Sequence, residues 1–292
     1  MNTQLFHLHA LSALHVGVGQ AAGTVDLPIA RAKATHLPLV PGSSLKGVLR
    51  DEFAGNPDQS LLFGPERIND AESAHAGAVA FGDAHLLLLP VRSLAGVMAW
   101  ATCSFVLTRY AADYSRAGLG KLFEVPRPTP GKVAITGGSS LPLTGNTVVF
   151  EDIDLDLDKS DEADEWAEHF AKTLFANDAE SAHAFPPHFA ILSDTDFSFL
   201  ADTATEVRAR IRINDETGTV AEGALRYEEN LPAESVLWGL LGVGPGRRPS
   251  CSATDTANKL RTGLADGKLL QIGGKATVGR GLLRFLAAGA AA

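Results

Sequence analysis

The sequence is poor in cysteine and has no long apolar run. Cys103 and Cys251 are its only cysteines, too few and too far apart for a disulfide framework or a cysteine-rich zinc site, and we expect both to be reduced. No window approaches the roughly 18 consecutive apolar residues of a membrane span, and the N-terminus lacks a basic start followed by an apolar signal core. We therefore expect a cytoplasmic protein without a membrane partner.

Nucleotide-binding signatures are lacking as well. The glycines of segment 15–31 have the spacing GxGxxxG, and Pro28 stands where the helix of a Rossmann fold would run. Neither segment 41–47 nor segment 271–281 matches GxxxxGK[ST], which argues against an ATP-binding P-loop. These spacings reject a dehydrogenase or an ATPase.

The chain also lacks an overall excess of basic residues, since its formal net charge is −9. The negative charge is concentrated at 151–168, where ten acidic residues accompany Lys159 alone. From residue 245 to the C-terminus, eight basic residues stand against two acidic ones. Such a basic tract is what a phosphate backbone requires, and the net charge conceals it. A solvated surface without a ligand is the alternative.

The composition, 45% hydrophobic and 20% charged, is that of a globular protein. Periodicity and turn residues predict strands over 4–14, 77–91 and 97–107, helices over 45–54, 164–177 and 254–265, and a β-hairpin over 205–228 with its turn at 214–218. Arg208, Arg210 and Arg212 would line one face of the hairpin. We expect the acidic stretch to form an exposed loop and helix face.

Two segments have the chemistry of phosphate-binding sites. PGSSLKG (41–47) offers free amides at a helix start, two hydroxyl groups and Lys46. QIGGKATVGRG (271–281) combines glycines that permit close backbone approach with Lys275 and Arg280. Taken alone, an ordinary helix cap and a tight β-turn are the alternatives.

A third segment, HVGVGQAAGTVDLPIAR (15–31), presents His15, Asp26 and Arg31 on a flexible loop. These side chains have the protonation and charge properties needed to handle a phosphodiester, and an exposed aspartate suits proton transfer or metal binding. For a loop aspartate taken alone, the capping of a turn is the favoured interpretation.

Together these segments resemble the RAMP superfamily, and more narrowly the family of backbone (fourth) subunits of Cmr complexes, which are type III-B CRISPR effectors. The resemblance extends over residues 15–284 and rests, in the family's order, on HVGVGQAAGTVDLPIAR, LPLVPGSSLKGVLRDEF, LLFGP, GAVAFGDAHLLLLPVRSLAGVMAWATC, GALRYEENLP and QIGGKATVGRGLLR. The last segment marks the superfamily, whereas VDLPI and YEENLP make the Cmr assignment more specific.

The resemblance implies an α+β fold: a modified ferredoxin-like (RRM-type) palm with an inserted thumb β-hairpin and additional helical insertions. It implies a single RAMP domain over 1–292, in which the hairpin at 205–228 is the thumb and 151–180 is an acidic insertion. We expect the insertion to face away from RNA or to contact a basic neighbouring subunit. Copies of the chain would stack head to tail along a guide RNA with other Cmr subunits.

The resemblance further implies a guide-RNA-binding subunit that cleaves complementary target RNA at regular intervals, using Mg²⁺ or Mn²⁺. Asp26 matches the aspartate that the family requires for cleavage, so it is the expected catalytic residue and a candidate metal ligand, assisted by His15 and Glu228. The expected guide-RNA contacts are Ser43, Ser44, Lys46, Gly273, Gly274, Lys275 and Arg280.

Three alternatives stay open. The chain is a guide-RNA scaffold without catalysis, the equivalent backbone subunit of a type III-A complex, or a RAMP endonuclease that processes precursor RNA by metal-independent acid–base chemistry.

Overall fold

The computed structural model describes residues 1–20, 25–66, 74–143 and 145–288. Part of the predicted loop after His15, residues 21–24, lies outside the described residues. The strands are β1 Asn2–Ala10, β2 Leu39–Val40, β3 Val79–Phe81, β4 Ala84–Arg92, β5 Met98–Cys103, β6 Lys132–Ile135, β7 Thr147–Phe150, β8 Ile153–Lys159, β9 Phe189–Leu192, β10 Glu206–Arg210, β11 Arg226–Asn230, β12 Val236–Val243, β13 Gly246–Arg247, β14 Ser250–Cys251, β15 Leu269–Gln271 and β16 Leu282–Ala287. The α-helices are α1 Gly42–Glu52, α2 Gln59–Phe63, α3 Ser104–Arg116, α4 Glu162–Leu174, α5 Ala179–Ala184, α6 Asp194–Thr203 and α7 Ala253–Gly263.

A twelve-stranded sheet organises the described chain. Its order is β15-β16-β1-β12-β4-β5-β9-β6-β8-β7, with β2 beside β4 and β3 beside β12. The pairs β5–β9 and β6–β8 are parallel, and the central pairs β16–β1, β1–β12 and β12–β4 are antiparallel. The expected α+β class is thus confirmed.

Strand β1 lies inside the sheet and contributes buried residues to the core. β1 pairs with β12 on one side and with β16 on the other, so its backbone groups are satisfied on both edges, and its residues from Leu5 to Ala10 are buried. The strand ends at Ala10 rather than at residue 14. Leu14 instead forms an isolated bridge with Leu231, which carries the chain toward β11.

The acidic stretch was expected to form a loop and a helix face, but its residues 153–159 form a strand, β8. β8 lies between β6 and β7. Ile153, Leu155 and Leu157 alternate with aspartates, and this period of two directs Leu155 into the core while Asp154 and Asp156 stay exposed.

The helix that follows is amphipathic in the way the sequence predicts. α4 buries Ala163, Trp166, Ala167, Phe170, Ala171 and Leu174 along one side, the spacing of a helix that packs on a sheet. Its first turn carries Glu162, Asp164 and Glu165, and negative charge is favourable at that end of a helix. The acidic composition is therefore compatible with regular structure.

The hairpin, residues 206–230, has shorter strands than the sequence suggested. β10 and β11 pair antiparallel up to Arg210 opposite Arg226. The ladder is then interrupted, and an isolated bridge joins Ile213 and Val220 next to the turn. Residues 211–220 are all exposed, so the outer part of the hairpin projects from the body.

Both cysteines are free thiols, Cys103 in the core and Cys251 partly exposed. Within the described ranges, no helix has the length and apolar character needed to cross a membrane.

His7 makes the stability of this core dependent on pH. It is fully buried on β1, with Nε2 3.1 Å from the Tyr110 hydroxyl. Burial, and then the charge of His169, lower the pKa of His7 to about 3. The folded protein holds this imidazole neutral, whereas the unfolded chain protonates it below pH 6.5.

Lowering the pH from 6.5 toward 3 should therefore lower the free energy of unfolding. The contribution of His7 should approach about 1.4 kcal/mol per pH unit. Urea denaturation of the wild type and of His7→Gln across this range measures it as the difference between the two slopes. The exposed His183→Gln should keep the wild-type slope, and equal slopes for His7→Gln and the wild type would contradict the prediction.

Candidate functional site

Asp26 lies at the base of the hairpin because the backbone around it pairs with β11. Leu27 forms a parallel bridge with Glu228, in which the Leu27 amide donates to the Tyr227 carbonyl at 3.0 Å. The Asp26 carboxylate, through Oδ2, accepts the Tyr227 amide at 2.8 Å. Asp26 is thus half-buried and oriented, rather than freely exposed as the sequence suggested. Among the described residues, no donor engages its Oδ1.

His15 lies against the same strand. Its Nδ1 is 2.7 Å from the Glu229 carbonyl oxygen, and because a carbonyl only accepts, Nδ1 carries the proton and donates. The neutral ring then has its lone pair on Nε2. A Cβ at Gly17 would lie 2.6 Å from that nitrogen, so the glycine leaves room beside it.

The glycine-rich loop, residues 272–281, packs on His15 from the other side. The Gly274 amide donates to the His15 carbonyl at 2.8 Å. Gly273 has φ +85°, and a Cβ there would collide with the same carbonyl oxygen, so this position requires glycine. Lys275 is exposed on the loop.

Glu228 is buried and ion-paired. Its carboxylate lies 3.3 Å from Arg210 of β10 and 3.4 Å from Arg280 of the glycine-rich loop. Burial acts to raise its pKa, but Arg210, Asn230 and His15 together outweigh that effect, and the pKa of Glu228 lies below its usual value. An ionised carboxylate held by two guanidinium groups is placed to join the hairpin to the loop.

The start of α1 differs from the expected phosphate site. Pro41 is the N-cap, neither serine caps the helix, and the Gly42 amide donates to Asp83 Oδ1 at 2.8 Å. One of the expected free amides is therefore occupied by a carboxylate. Ser43 is exposed, while Ser44 and Lys46 are half-buried.

The structure brings together only part of the predicted site. Its contacts join His15, Glu228, Gly273, Gly274 and Arg280 into one cluster beside Asp26. No hydrogen bond or ion pair between described residues connects this cluster to the serines and lysine of α1.

Glu229 is a site residue that the sequence did not single out, and Arg210 was expected on a face of the hairpin but not at the site. Neighbouring residues of a strand point to opposite faces, and the Glu228-Glu229 pair follows that rule: Glu228 faces Arg210 and Arg280, whereas Glu229 lies 2.6 Å from Arg31. Two adjacent acids within a predicted strand were the available signal.

Few side chains at this site could bind a metal ion. Among the described residues, no group of three or more histidine, cysteine or acidic side chains is placed to hold one. Mg²⁺ commonly binds through one or two carboxylates and completes its shell with water and substrate phosphates. Asp26 Oδ1 fits that mode, whereas the arginines already neutralise Glu228.

Comparison with known proteins identifies the family. The model of the RAMP superfamily matches residues 7–284. The CRISPR system Cmr endoribonuclease Cmr4 of Pyrococcus furiosus is 37% identical over 294 residues, which cover 97% of this chain and 95% of that protein.

Solved structures agree with the sequence comparison. The crystal structure of oligomeric Cmr4 from Pyrococcus furiosus superposes with a TM-score of 0.76 and 29% identity over 98% of both chains. A second crystal structure of Cmr4 gives a TM-score of 0.72 and 27% identity, again over 98% of both chains.

The ion pairs of Glu228 lead to a prediction about the hairpin. Glu228→Gln removes the charge that two guanidinium groups share, so we expect the free energy of unfolding to fall by about 1 to 3 kcal/mol. Hydrogen exchange over residues 206–230 should accelerate. The matched control is Glu206→Gln, which breaks only the more exposed pair with Arg208. If hydrogen exchange over residues 206–230 keeps its wild-type rate in Glu228→Gln, the ion pairs of Glu228 do not hold the hairpin.

Proposed function

The chain belongs to the RAMP superfamily, and from that premise we propose that it is the guide-RNA-binding backbone subunit of a type III-B CRISPR (Cmr) complex and cleaves guide-paired target RNA. The relative with 37% identity over nearly the whole chain supports the assignment to Cmr rather than to a type III-A complex. The observation that carries the catalytic part is the fixed position of Asp26 at the base of the hairpin, beside His15.

The palm of this subunit is a modified ferredoxin-like fold. Strands β1, β4, β12 and β16 follow one another along the chain and are ordered β16-β1-β12-β4 in the sheet. α1 lies between the first two in sequence, and α7 between the last two. This is the split β-α-β-β-α-β arrangement of that fold. The largest insertion, from β5 to β11, lies between β4 and β12, and shorter additions lie between β1 and β4 and between β12 and β16.

The hairpin serves as the thumb that separates the target strand from the guide at intervals. Its outer part carries exposed apolar side chains, among them Ile211, Ile213 and Val220, together with exposed Arg212, and Arg208 is exposed nearer the base. Apolar side chains insert between bases and unstack them, and cations attract the phosphates. A distorted linkage would then reach Asp26 at the hairpin's base.

At that linkage, the ribose 2′-hydroxyl attacks the adjacent phosphate in line with the departing 5′-oxygen. The proton of the 2′-hydroxyl passes to Asp26 Oδ1, while the Tyr227 amide holds Oδ2. Because the hydroxyl has a single proton, His15 Nε2 acts as the second acceptor and takes that proton on from the Asp26 carboxyl, while water protonates the departing 5′-oxygen. Glu228 assists by fixing Arg210 for the developing negative charge.

Asp26 is the residue that would hold Mg²⁺, or Mn²⁺ in its place, since such an ion commonly binds through one or two carboxylates together with substrate phosphates. The ion would supply Lewis-acid stabilisation of the negative charge that develops in the reaction.

The guide RNA is held by its backbone, so its sequence is not read by this chain. Ser43, Ser44 and Lys46 of α1 and Gly273, Gly274, Lys275 and Arg280 of the glycine-rich loop make these contacts. Copies stack head to tail through an interface that does not close on itself, and the guide length and other Cmr subunits limit their number. The acidic insertion faces a basic neighbouring subunit.

Asp26→Asn should abolish cleavage of guide-complementary RNA in the reconstituted complex while guide binding persists. Loss of a general base costs about 10²- to 10⁴-fold in rate. Single-turnover assays on labelled target RNA, with and without EDTA, measure the loss, and Asp266→Asn, at an exposed position outside the hairpin and the glycine-rich loop, is the control.

Regularly spaced, EDTA-sensitive cuts that vanish only in Asp26→Asn support the proposal. Unchanged cutting by Asp26→Asn would leave the chain a scaffold. Cutting of precursor RNA in the presence of EDTA would assign it instead to guide processing.

Lys46→Ala and Lys275→Ala should each weaken guide-RNA binding and reduce the dependence of log Kd on log salt by about 1. Filter binding between 50 and 300 mM salt measures both effects. The control is Lys172→Ala, which removes an exposed lysine paired with Glu168 on the acidic helix. An unchanged salt slope in either variant would remove that lysine from the interface.

A further inference from the structure

The aspartate loop, residues 25–31, is attached to β11 at alternate residues. Leu27 pairs with the strand through its backbone. The Ile29 amide donates to the Glu229 carboxylate at 3.0 Å, and the Arg31 guanidinium donates to its other oxygen at 2.6 Å. One carboxylate therefore receives both a backbone amide and a side chain of the loop that carries Asp26.

Glu229 also connects this loop to two neighbouring elements. The Thr205 hydroxyl, immediately before β10, donates to Glu229 Oε1 at 3.1 Å. Arg31 donates to the Ala201 carbonyl and to Asp202 at the end of α6. The loop, the hairpin and α6 thus meet at one salt bridge.

The burial of this salt bridge makes the removal of either partner costly. The side chains of Arg31 and Glu229 are 11% and 8% exposed, so water screens their attraction little, and removing one partner leaves the other charge uncompensated. Asp202 is 48% exposed and contributes less. Glu229, rather than Asp202, determines where Arg31 lies.

We propose that Glu229 is a positioning residue for RNA cleavage: through Ile29 and Arg31 it fixes the aspartate loop on the hairpin strand, so that Asp26 faces the scissile linkage. The inference rests on the proposed catalytic role of Asp26. Glu229 touches no reacting atom, because its oxygens are occupied by Ile29, Arg31 and Thr205. Its effect on the reaction is geometric.

The reconstituted complex with Glu229→Gln tests this role. Misplacement of a reacting group by about 1 Å costs up to about 10²-fold in rate, so we expect single-turnover cleavage to fall about 10- to 100-fold. The Kd for target RNA should stay unchanged. Hydrogen exchange over residues 25–31 should accelerate, since the Ile29 amide and Arg31 lose their charged acceptor.

Further variants separate positioning from loss of structure. Glu229→Asp keeps the charge and should recover part of the rate, whereas Arg31→Ala should match Glu229→Gln in both rate and exchange. Glu52→Gln, which breaks a more exposed pair with Lys268 outside the hairpin and both loops, should behave as the wild type. Weakened target binding by Glu229→Gln would assign the residue to general folding and overturn the inference.

Asp26→Asn, assayed in parallel, distinguishes this inference from the proposed function. An inactive Asp26→Asn beside a Glu229→Gln that cuts at the wild-type rate overturns the positioning role alone. If Asp26→Asn cuts normally, the catalytic assignment of Asp26 fails. In that case, hydrogen exchange over residues 25–31 at the wild-type rate in Glu229→Gln would show that Glu229 does not hold the loop either.

Discussion

The rest of the site depends on the parallel bridge between Leu27 and Glu228. It is a short pairing between segments far apart in sequence, and it places a loop from the start of the chain on a hairpin near its end. Asp26 acquires its orientation there because the Tyr227 amide is the next donor along β11. A carboxylate without such a partner would sample many rotamers, and the entropy of ordering it would oppose catalysis.

Two adjacent carboxylates of β11 connect this bridge to the surrounding elements. Since residues alternate across a strand, Glu228 joins β11 to Arg210 and Arg280, while Glu229 joins it to Arg31 and Ile29. One face of β11 thus connects the hairpin with the glycine-rich loop, and the other connects it with the aspartate loop. A displacement of the hairpin by bound RNA would be transmitted to both loops through a single strand.

The sequence predicts those parts that depend on local pattern. Alternation and helical spacing located β4, α4 and the hairpin, and φ-permissive glycines marked the loop that packs on His15. It did not predict that Asp83 would occupy the Gly42 amide or that Glu229 would meet Arg31, because partners distant in sequence meet only through the sheet topology. β8 was not predicted, because its acidic residues suggested a loop although its apolar residues recur at every second position.

The topology also explains how a chain of net charge −9 can present a surface to RNA. The glycine-rich loop adjoins β1 through His15, whereas the acidic β8 is six strand positions away in the sheet order. At about 4.8 Å per strand this is about 29 Å along the sheet. Exposed charges are largely screened beyond about 8 Å at physiological salt. Under the proposed function, Asp154 and Asp156 would therefore repel RNA at the glycine-rich loop little, and the local basic tract would decide the interaction.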